Sequence, residues 1–361
     1  MDKKFIGYRK KTKDEINELW KNALFTFDTN VLLNLYRYSE TTRNDIFGVV
    51  EKLNNRIFLT YQVAYEFNKN RFEVINEIIK QNKQFLKDLE KIKSDITSKN
   101  SAPFLSSLLS TKFNDVIKEI EIEINSTIKK YESLFNDDDI YKKISQLFEN
   151  KILENFSDDE LKKIKIEGED RYKLGIPPGY LDAKKEENKY GDFIVWKEII
   201  NNASKKKKSI LLISDEQKTD WLWKLKDDKI IGPRPELVQE FNDLTKENFH
   251  IYNSINFIRF GSEYFQGKIN ENTINEISKV SSESNLEEFS TYLKSLSYDS
   301  IEELFENLTP READVLSLNL GLFNNLPTGL KEIALIHELP VLDIIKIKVR
   351  AMFKLKTILN K

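Results

Sequence analysis

The sequence predicts an α/β fold in which a sheet of buried parallel strands is wrapped by helices. A long helical insertion interrupts the sheet, and an all-α module follows it. Three observations predict this. Short apolar runs alternate with helical periodicity along the chain, the pattern of an α/β layer fold. The runs are nearly continuous in apolar residues rather than alternating, as strands covered on both faces are. The length of 361 residues, with no cysteine, allows two domains or one large domain with insertions, stable without disulfide or cysteine–metal staples.

The strands fall at Leu24–Phe27 (LFTF), residues 56–60 (RIFLT), residues 209–214 (SILLIS) and residues 249–253 (FHIYN). From about residue 72 to 165 the rhythm changes to i, i+3, i+4 spacing. Ile75, Ile78, Ile79, Phe85, Leu86 and Leu89 lie on one stripe, and Val116, Ile117, Ile120, Ile124 and Ile128 on another. That spacing predicts an amphipathic hairpin or small bundle, folding back near Pro103. Gly175-Ile176-Pro177-Pro178-Gly179 marks a rigid turn back into the core. Residues 281–309 carry seven acids and one lysine, an acidic helical connector, whereas residues 340–361 carry six Lys and Arg against one Asp. The divisions expected are therefore 1–265 (with 72–165 inserted), a connector at 266–305 and a small module at 306–361. The run Lys205–Lys208 is read as a solvated loop.

Composition excludes several chemistries. Without cysteine there is no thiol catalysis, and with only His250 and His337 a serine–histidine triad has few candidates. Fifty-seven Lys and Arg against 59 Asp and Glu give a net charge of −2, while 32% of residues are charged. That balance fits long solvated helices rather than a uniformly basic nucleic-acid binder. The start of the chain lacks a signal-peptide core, and no run approaches the ~18 apolar residues of a membrane span. The expectation is a soluble cytoplasmic protein, with no membrane partner, whose chemistry runs on carboxylates.

Four carboxylates end structural elements. Asp28 follows LFTF and Asp215 follows SILLIS, where parallel strands open into a ligand crevice. Glu66 lies on the helix after the second strand, and Asp192 at the mouth of the helix of Phe193, Trp196, Ile199 and Ile200. Singly, Asp192 reads equally well as a helix cap and Asp28 as an Asx-turn. Together, four acids in one crevice repel each other without a cation, and hard oxygen ligands suit Mg²⁺ or Mn²⁺.

The order FDTN, VAYEF, PPGYLDAKKEENKYGDFIVWKEII and LLISDEQKTDWLW resembles the PIN-like domain nucleases, in the subgroup with a long helical insertion after the glutamate. The resemblance covers about residues 20–265 and implies a parallel-sheet sandwich with a metal-dependent site for phosphodiester hydrolysis. By position it makes Asp28, Glu66, Asp192 and Asp215 the catalytic and metal-binding acids. It makes Asn30 a holder of a carboxylate or water, and Asp182 and Asp220 outer acids. Thr60 departs from the proline expected in that subgroup. Clustered carboxylates would hold Mg²⁺ or Mn²⁺ to activate water for in-line attack, leaving 5′-phosphate and 3′-hydroxyl ends on RNA or DNA. Arg71, Lys184 and Lys185 are candidates for substrate phosphates, though solvated weak ion pairs describe them equally well. Trp196 falls on a core stripe; of Trp221 and Trp223, one is a candidate for the edge of a substrate groove.

The segment LTPREADVLSLNLGLFNNLPTGLKEIALIHELPVLDIIKIKVRAMFKLK resembles the promoter-reading helix-turn-helix of bacterial sigma factors. Thr309 and Glu312 would form a capping box. Glu338 stands at the turn position usually given to glycine. Val341, Leu342 and Ile345 occupy a recognition helix that in sigma factors is polar, and they cannot donate hydrogen bonds to base edges. The module reads as a docking surface for a regulatory protein, or else as a sequence-blind phosphate binder through Lys346, Lys348, Arg350, Lys354 and Lys356. His337 reads as a packed or surface residue. The expectation overall is a metal-dependent endonuclease regulated within a bacterial toxin–antitoxin or phage-defence module. The alternative is a nucleic-acid-binding or protein-docking regulator using the PIN-like domain as scaffold.

Overall fold

A computed structural model describes residues 4–97, 106–185, 187–226, 229–268, 270–323 and 325–359. Four parallel strands form the central sheet, β1 (Leu24–Phe27), β2 (Ile57–Phe58), β3 (Ile210–Ile213) and β6 (Phe249–Tyr252), in the order β2-β1-β3-β6. Register is continuous across the middle: Thr26 faces Leu212, and Leu212 faces Ile251. All four residues of β3 are buried, which explains the unbroken apolar run SILLIS. A two-stranded antiparallel ribbon, β4 (Leu222–Lys224) with β5 (Ile230–Pro233), lies apart from the sheet. Its strands are only three and four residues long and partly exposed, so the sequence reading missed them.

Both faces of the sheet are covered, and strand periodicity sorts the side chains between them. On one face Trp20 of α1 (Lys13–Asn22) stacks on Phe257 of α10 (Ser254–Tyr264) at 6.0 Å, with Phe25 and Phe27 beneath. On the other, Trp196 of α8 (Gly191–Lys206) meets Phe249 edge-on at 4.9 Å and Phe241 of α9 (Pro235–Thr245) at 5.9 Å. Helices α2 (Thr29–Asn34) and α3 (Glu40–Leu53) connect β1 to β2.

The helical insertion begins earlier than its apolar stripe suggests. Helix α4 (Tyr61–Thr97) runs from β2 without interruption, so Glu66 and the insertion share one helix. Thr60, in place of the proline expected there, caps it: its hydroxyl accepts from Val63 N at 3.3 Å. Helix α5 (Ser107–Ser133) returns alongside, as Lys83–Glu132 (2.8 Å) and Lys93–Glu121 (3.1 Å) fix an antiparallel pairing. The turn expected near Pro103 lies outside the described residues. Helices α6 (Asp139–Leu147) and α7 (Asp158–Lys173) complete the insertion, and a parallel bridge between Leu59 and Ile152 extends the β2 edge.

The C-terminal helices are α11 (Glu271–Ser295), α12 (Tyr298–Phe305), α13 (Pro310–Leu320), α14 (Leu330–Ile336) and α15 (Val341–Leu359). Helix α11 enters two cores: Ile274, Ile277 and Val280 join the main one, and Phe289 and Leu293 join a second with Leu316, Met352 and Leu355. Thr309 and Glu312 form a reciprocal capping box at α13. Glu338, between α14 and α15, takes the left-handed conformation (φ 52°) that glycine adopts most readily. No helix among the described residues is long and apolar enough to cross a membrane.

Candidate active site

The sheet places the site. Asp28 N donates to Ile213 O at 2.8 Å, so the pairing of β1 with β3 continues one residue past β1 and sets Asp28 beside the end of β3. Asp28 then caps α2: one carboxylate oxygen accepts from Thr29 N at 2.7 Å, and the other accepts from the Ser214 hydroxyl at 2.6 Å. The cap and the crevice position therefore coexist. Burial pushes the Asp28 carboxyl up to about 8; the Ser214 hydrogen bond opposes this, and the negative charges of Asp192, Glu216 and Glu66 add to it.

Glu66, at the second turn of α4, is held from three sides. One oxygen accepts from the Thr29 hydroxyl at 2.7 Å; the other accepts from Gln62 Nε2 at 2.8 Å and Asn188 Nδ2 at 2.7 Å. Gln62 also donates to Asn188 Oδ1 at 3.0 Å, closing a small network. The start of α4 is fixed in turn by Glu198, whose carboxylate accepts from Gln62 N at 3.2 Å. Glu198 is buried, and burial raises its carboxyl to about 7.

Asp192 sits in the first turn of α8, with Oδ2 buried and without a hydrogen bond. Burial raises its carboxyl to about 6; Lys218 opposes the shift, and Asp182 and Glu216 reinforce it. Asp182 is buried and accepts from Lys185 (2.8 Å) and Lys218 (3.1 Å). Asp220, wholly buried, accepts from Gly179 N at 2.8 Å, while its Oδ1 has no partner. Burial and the charge of Asp192 push Asp220 up to about 7. Gly179 is obligatory here: at φ 90° a Cβ would stand 2.4 Å from the Tyr172 hydroxyl and 3.2 Å from Asp192 Cβ.

The structure turns Asp215 toward the start of α10. Both of its oxygens are taken by the start of α10, accepting from Ser254 N at 2.9 Å and Ser254 Oγ at 2.7 Å. Its neighbour Glu216 faces the other acids instead. Successive residues leaving a strand project to opposite sides, so only one of the pair can enter the crevice. Burial pushes Glu216 up, but Lys218 and the backbone amides of Gln217 and Lys218 outweigh it and hold the carboxyl below its usual range. The sequence shows two adjacent acids after an apolar run; only the parity of the strand end decides between them.

The other expected residues divide similarly. Asn30 Oδ1 accepts from Asp215 N at 3.4 Å and so braces the end of β3. Arg71 is not placed for substrate: it pairs with buried Asp138 at 2.9 Å and packs over Phe72 and Tyr141. Lys185 is committed to Asp182, whereas Lys184 is exposed at the rim. Trp221 is buried against Trp196, and Trp223 meets Tyr8 edge-on, so both have protein partners.

The donor set is all hard oxygen, with Asp220 Oδ1 buried and unpartnered and Asp192 Oδ2 buried without a hydrogen bond, and in chemistry and charge it fits Mg²⁺ or Mn²⁺. Among the described residues, no three His, Asp or Glu side chains already stand in a metal-binding arrangement. Ligation of a metal there would require side-chain movement, and the ammonium of Lys218 lies among the acids that would move, 3.1 Å from Asp182, 3.2 Å from Glu216 and 3.6 Å from Asp192.

No curated protein and no solved structure matches the chain. Residues 24–237, more than half of the chain and spanning every acid of the site, match the family described as PIN like domain, and the chain belongs to that family.

Proposed function

We propose that the protein is a metal-dependent nuclease that hydrolyses phosphodiester bonds of RNA or DNA. Asp28, Asp192 and Glu216 would be the acids nearest the metal, Glu66 would be its oriented companion, and Asp182 and Asp220 would be outer supports. One observation carries the reading: acids from separate segments converge, and burial with mutual repulsion drives Asp28, Asp192 and Asp220 well above the ordinary carboxylate range. Such a cluster is costly unless a cation offsets it, and titratable groups perturbed in this way gather at functional sites as well as in structural ion-pair networks. Bound Mg²⁺ or Mn²⁺ would acidify water and stabilise charge on the phosphate.

The chain's own residues prepare that chemistry. Ser214 and Thr29 fix the two oxygens of Asp28, and Thr29, Gln62 and Asn188 fix Glu66. Exposed Lys184 is available to a substrate phosphate. Incubation of the protein with labelled RNA and DNA oligonucleotides should yield cleavage with Mn²⁺ and none with EDTA. Undiminished cleavage by Asp28→Asn would refute the assignment.

A second reading concerns the C-terminal helices. Leu335 is 79% exposed and Leu342 62% exposed on either side of the α14–α15 turn. Exposed apolar residues grouped in this way favour protein docking over base reading. In this reading the sigma-like helix-turn-helix is a docking face, through which a partner in a toxin–antitoxin or phage-defence module restrains the nuclease. Co-purification with a neighbour-encoded protein, lost on Leu342→Asp, tests it.

A further inference from the structure

Lys218 is the one basic side chain joined to three of the site's acids among the described ion pairs. It follows β3 by five residues, in the segment where Asp215 and Glu216 diverge, and its side chain is only 20% exposed. A half-buried ammonium held by three carboxylates from three segments is not a surface ion pair. It is a fixed counter-charge, and removing it would strand several buried anions.

The surrounding acids fall into two sets. Asp182, Asp192 and Glu216 are each within 3.6 Å of the ammonium. Asp28 and Glu66 are instead held by neutral donors, namely Thr29, Ser214, Gln62 and Asn188. Two-metal sites place their ions ~3.5–4 Å apart, with carboxylates shared between them. Here the half of the cluster that a second ion would need is already occupied by a side-chain cation.

We propose that Lys218 is the resident second cation of this site, so that the protein takes one divalent ion per chain, held by Asp28 with Asp192 and Glu216, rather than two. This deepens the nuclease reading and rests on it. The lysine is a positioning residue: it keeps Asp182, Asp192 and Glu216 together before the metal arrives, and limits how many ions the cluster can bind. Lysine is suited to this because its ammonium is a compact point charge that several carboxylates can share, unlike the planar fork of arginine.

The test is Mn²⁺ binding to the full chain, measured by native mass spectrometry and isothermal titration, for the parent, Lys218→Met and Lys218→Arg. The expected result is one ion for the parent and for Lys218→Arg, and for Lys218→Met a second ion or at least ~10-fold tighter binding, since one extra negative charge is left uncompensated. Two ions on the parent overturn the proposal without requiring any variant to fold. A folded Lys218→Met with the parent's stoichiometry and affinity also overturns it, and leaves the nuclease reading standing. If Lys218→Met fails to fold, Asp182→Asn/Lys218→Met, which removes an anion with the cation, replaces it and is expected to regain folding and accept the second ion; one ion there refutes the proposal. A parent that binds no Mn²⁺ defeats both this inference and the metal-dependent reading.

Discussion

At the scale of single residues, the adjacent acids Asp215 and Glu216 separate structure from chemistry. Asp215→Asn should lower the unfolding free energy by roughly 1–3 kcal/mol, because a carboxylate that satisfies a buried hydroxyl and a backbone amide is replaced by a poorer acceptor. Its cleavage rate should stay close to the parent's. Glu216→Gln should do the reverse, losing ~100-fold or more in cleavage, the scale of several kcal/mol that metal-stabilised charge supplies. Urea denaturation and oligonucleotide cleavage, run on both variants, read out the two effects. Arg71→Ala should cost roughly 3–5 kcal/mol, since it leaves Asp138 buried without its cation, and should leave KM unchanged. His250, on β6 opposite the aromatic edge of Tyr252, supplies a pH dependence. Burial, then Lys11, lowers its imidazole from 6.5 to about 3. Between those values the unfolded chain binds a proton that the folded chain refuses, so this group's contribution to stability falls as pH drops through the window. In His250→Gln the urea midpoint should fall less across that range than in the parent.

At the scale of elements, the strands were legible and the site only partly so. LFTF and SILLIS announced β1 and β3 because burial on both faces demands unbroken apolar runs. Asp28, Glu66 and Asp192 were legible for a related reason: the ends of such elements are where a crevice opens. That Asp215 turns to Ser254 while Glu216 faces Lys218 was not legible, because side-chain parity beyond a strand's last hydrogen bond is not encoded in composition. The role of Arg71 was hidden because its partner Asp138 lies 67 residues away, beyond the α4–α5 hairpin. The β4–β5 ribbon left no trace because its strands are short and partly exposed. The turn of Gly179 yields a prediction at this scale. Gly179→Ala should lower both stability and cleavage, as αL backbone alone costs roughly 1–2 kcal/mol for an L-residue and the Cβ would press on Tyr172 beside Asp192.

At the scale of the whole molecule, α11 joins two hydrophobic cores that otherwise have separate membership. Ile277→Ala and Leu293→Ala, both at fully buried positions, should each cost roughly 2–5 kcal/mol. Hydrogen exchange should distinguish them, the first loosening amides around the sheet and the second those of α13 and α15. Mn²⁺ should raise the melting temperature of the parent, with a gain of about 2.7 kcal/mol at a hundred times its Kd, and EDTA should reverse it. Helix α4 has a mechanical property of its own. Its buried side chains Val63, Phe67, Val74, Ile75 and Ile79 belong to the main core and Leu86 packs against it, whereas Leu89, further out, is buried outside that core. The rod is therefore a cantilever, clamped at the sheet and supported beyond it chiefly by its antiparallel companion. A 5° sway hinged at Leu86 would carry Thr97, roughly 16 Å further along at ~1.5 Å per residue, through about 1.4 Å. Glu66, inboard of the hinge, would not move, so a large molecule jostling the tip leaves the carboxylate undisturbed.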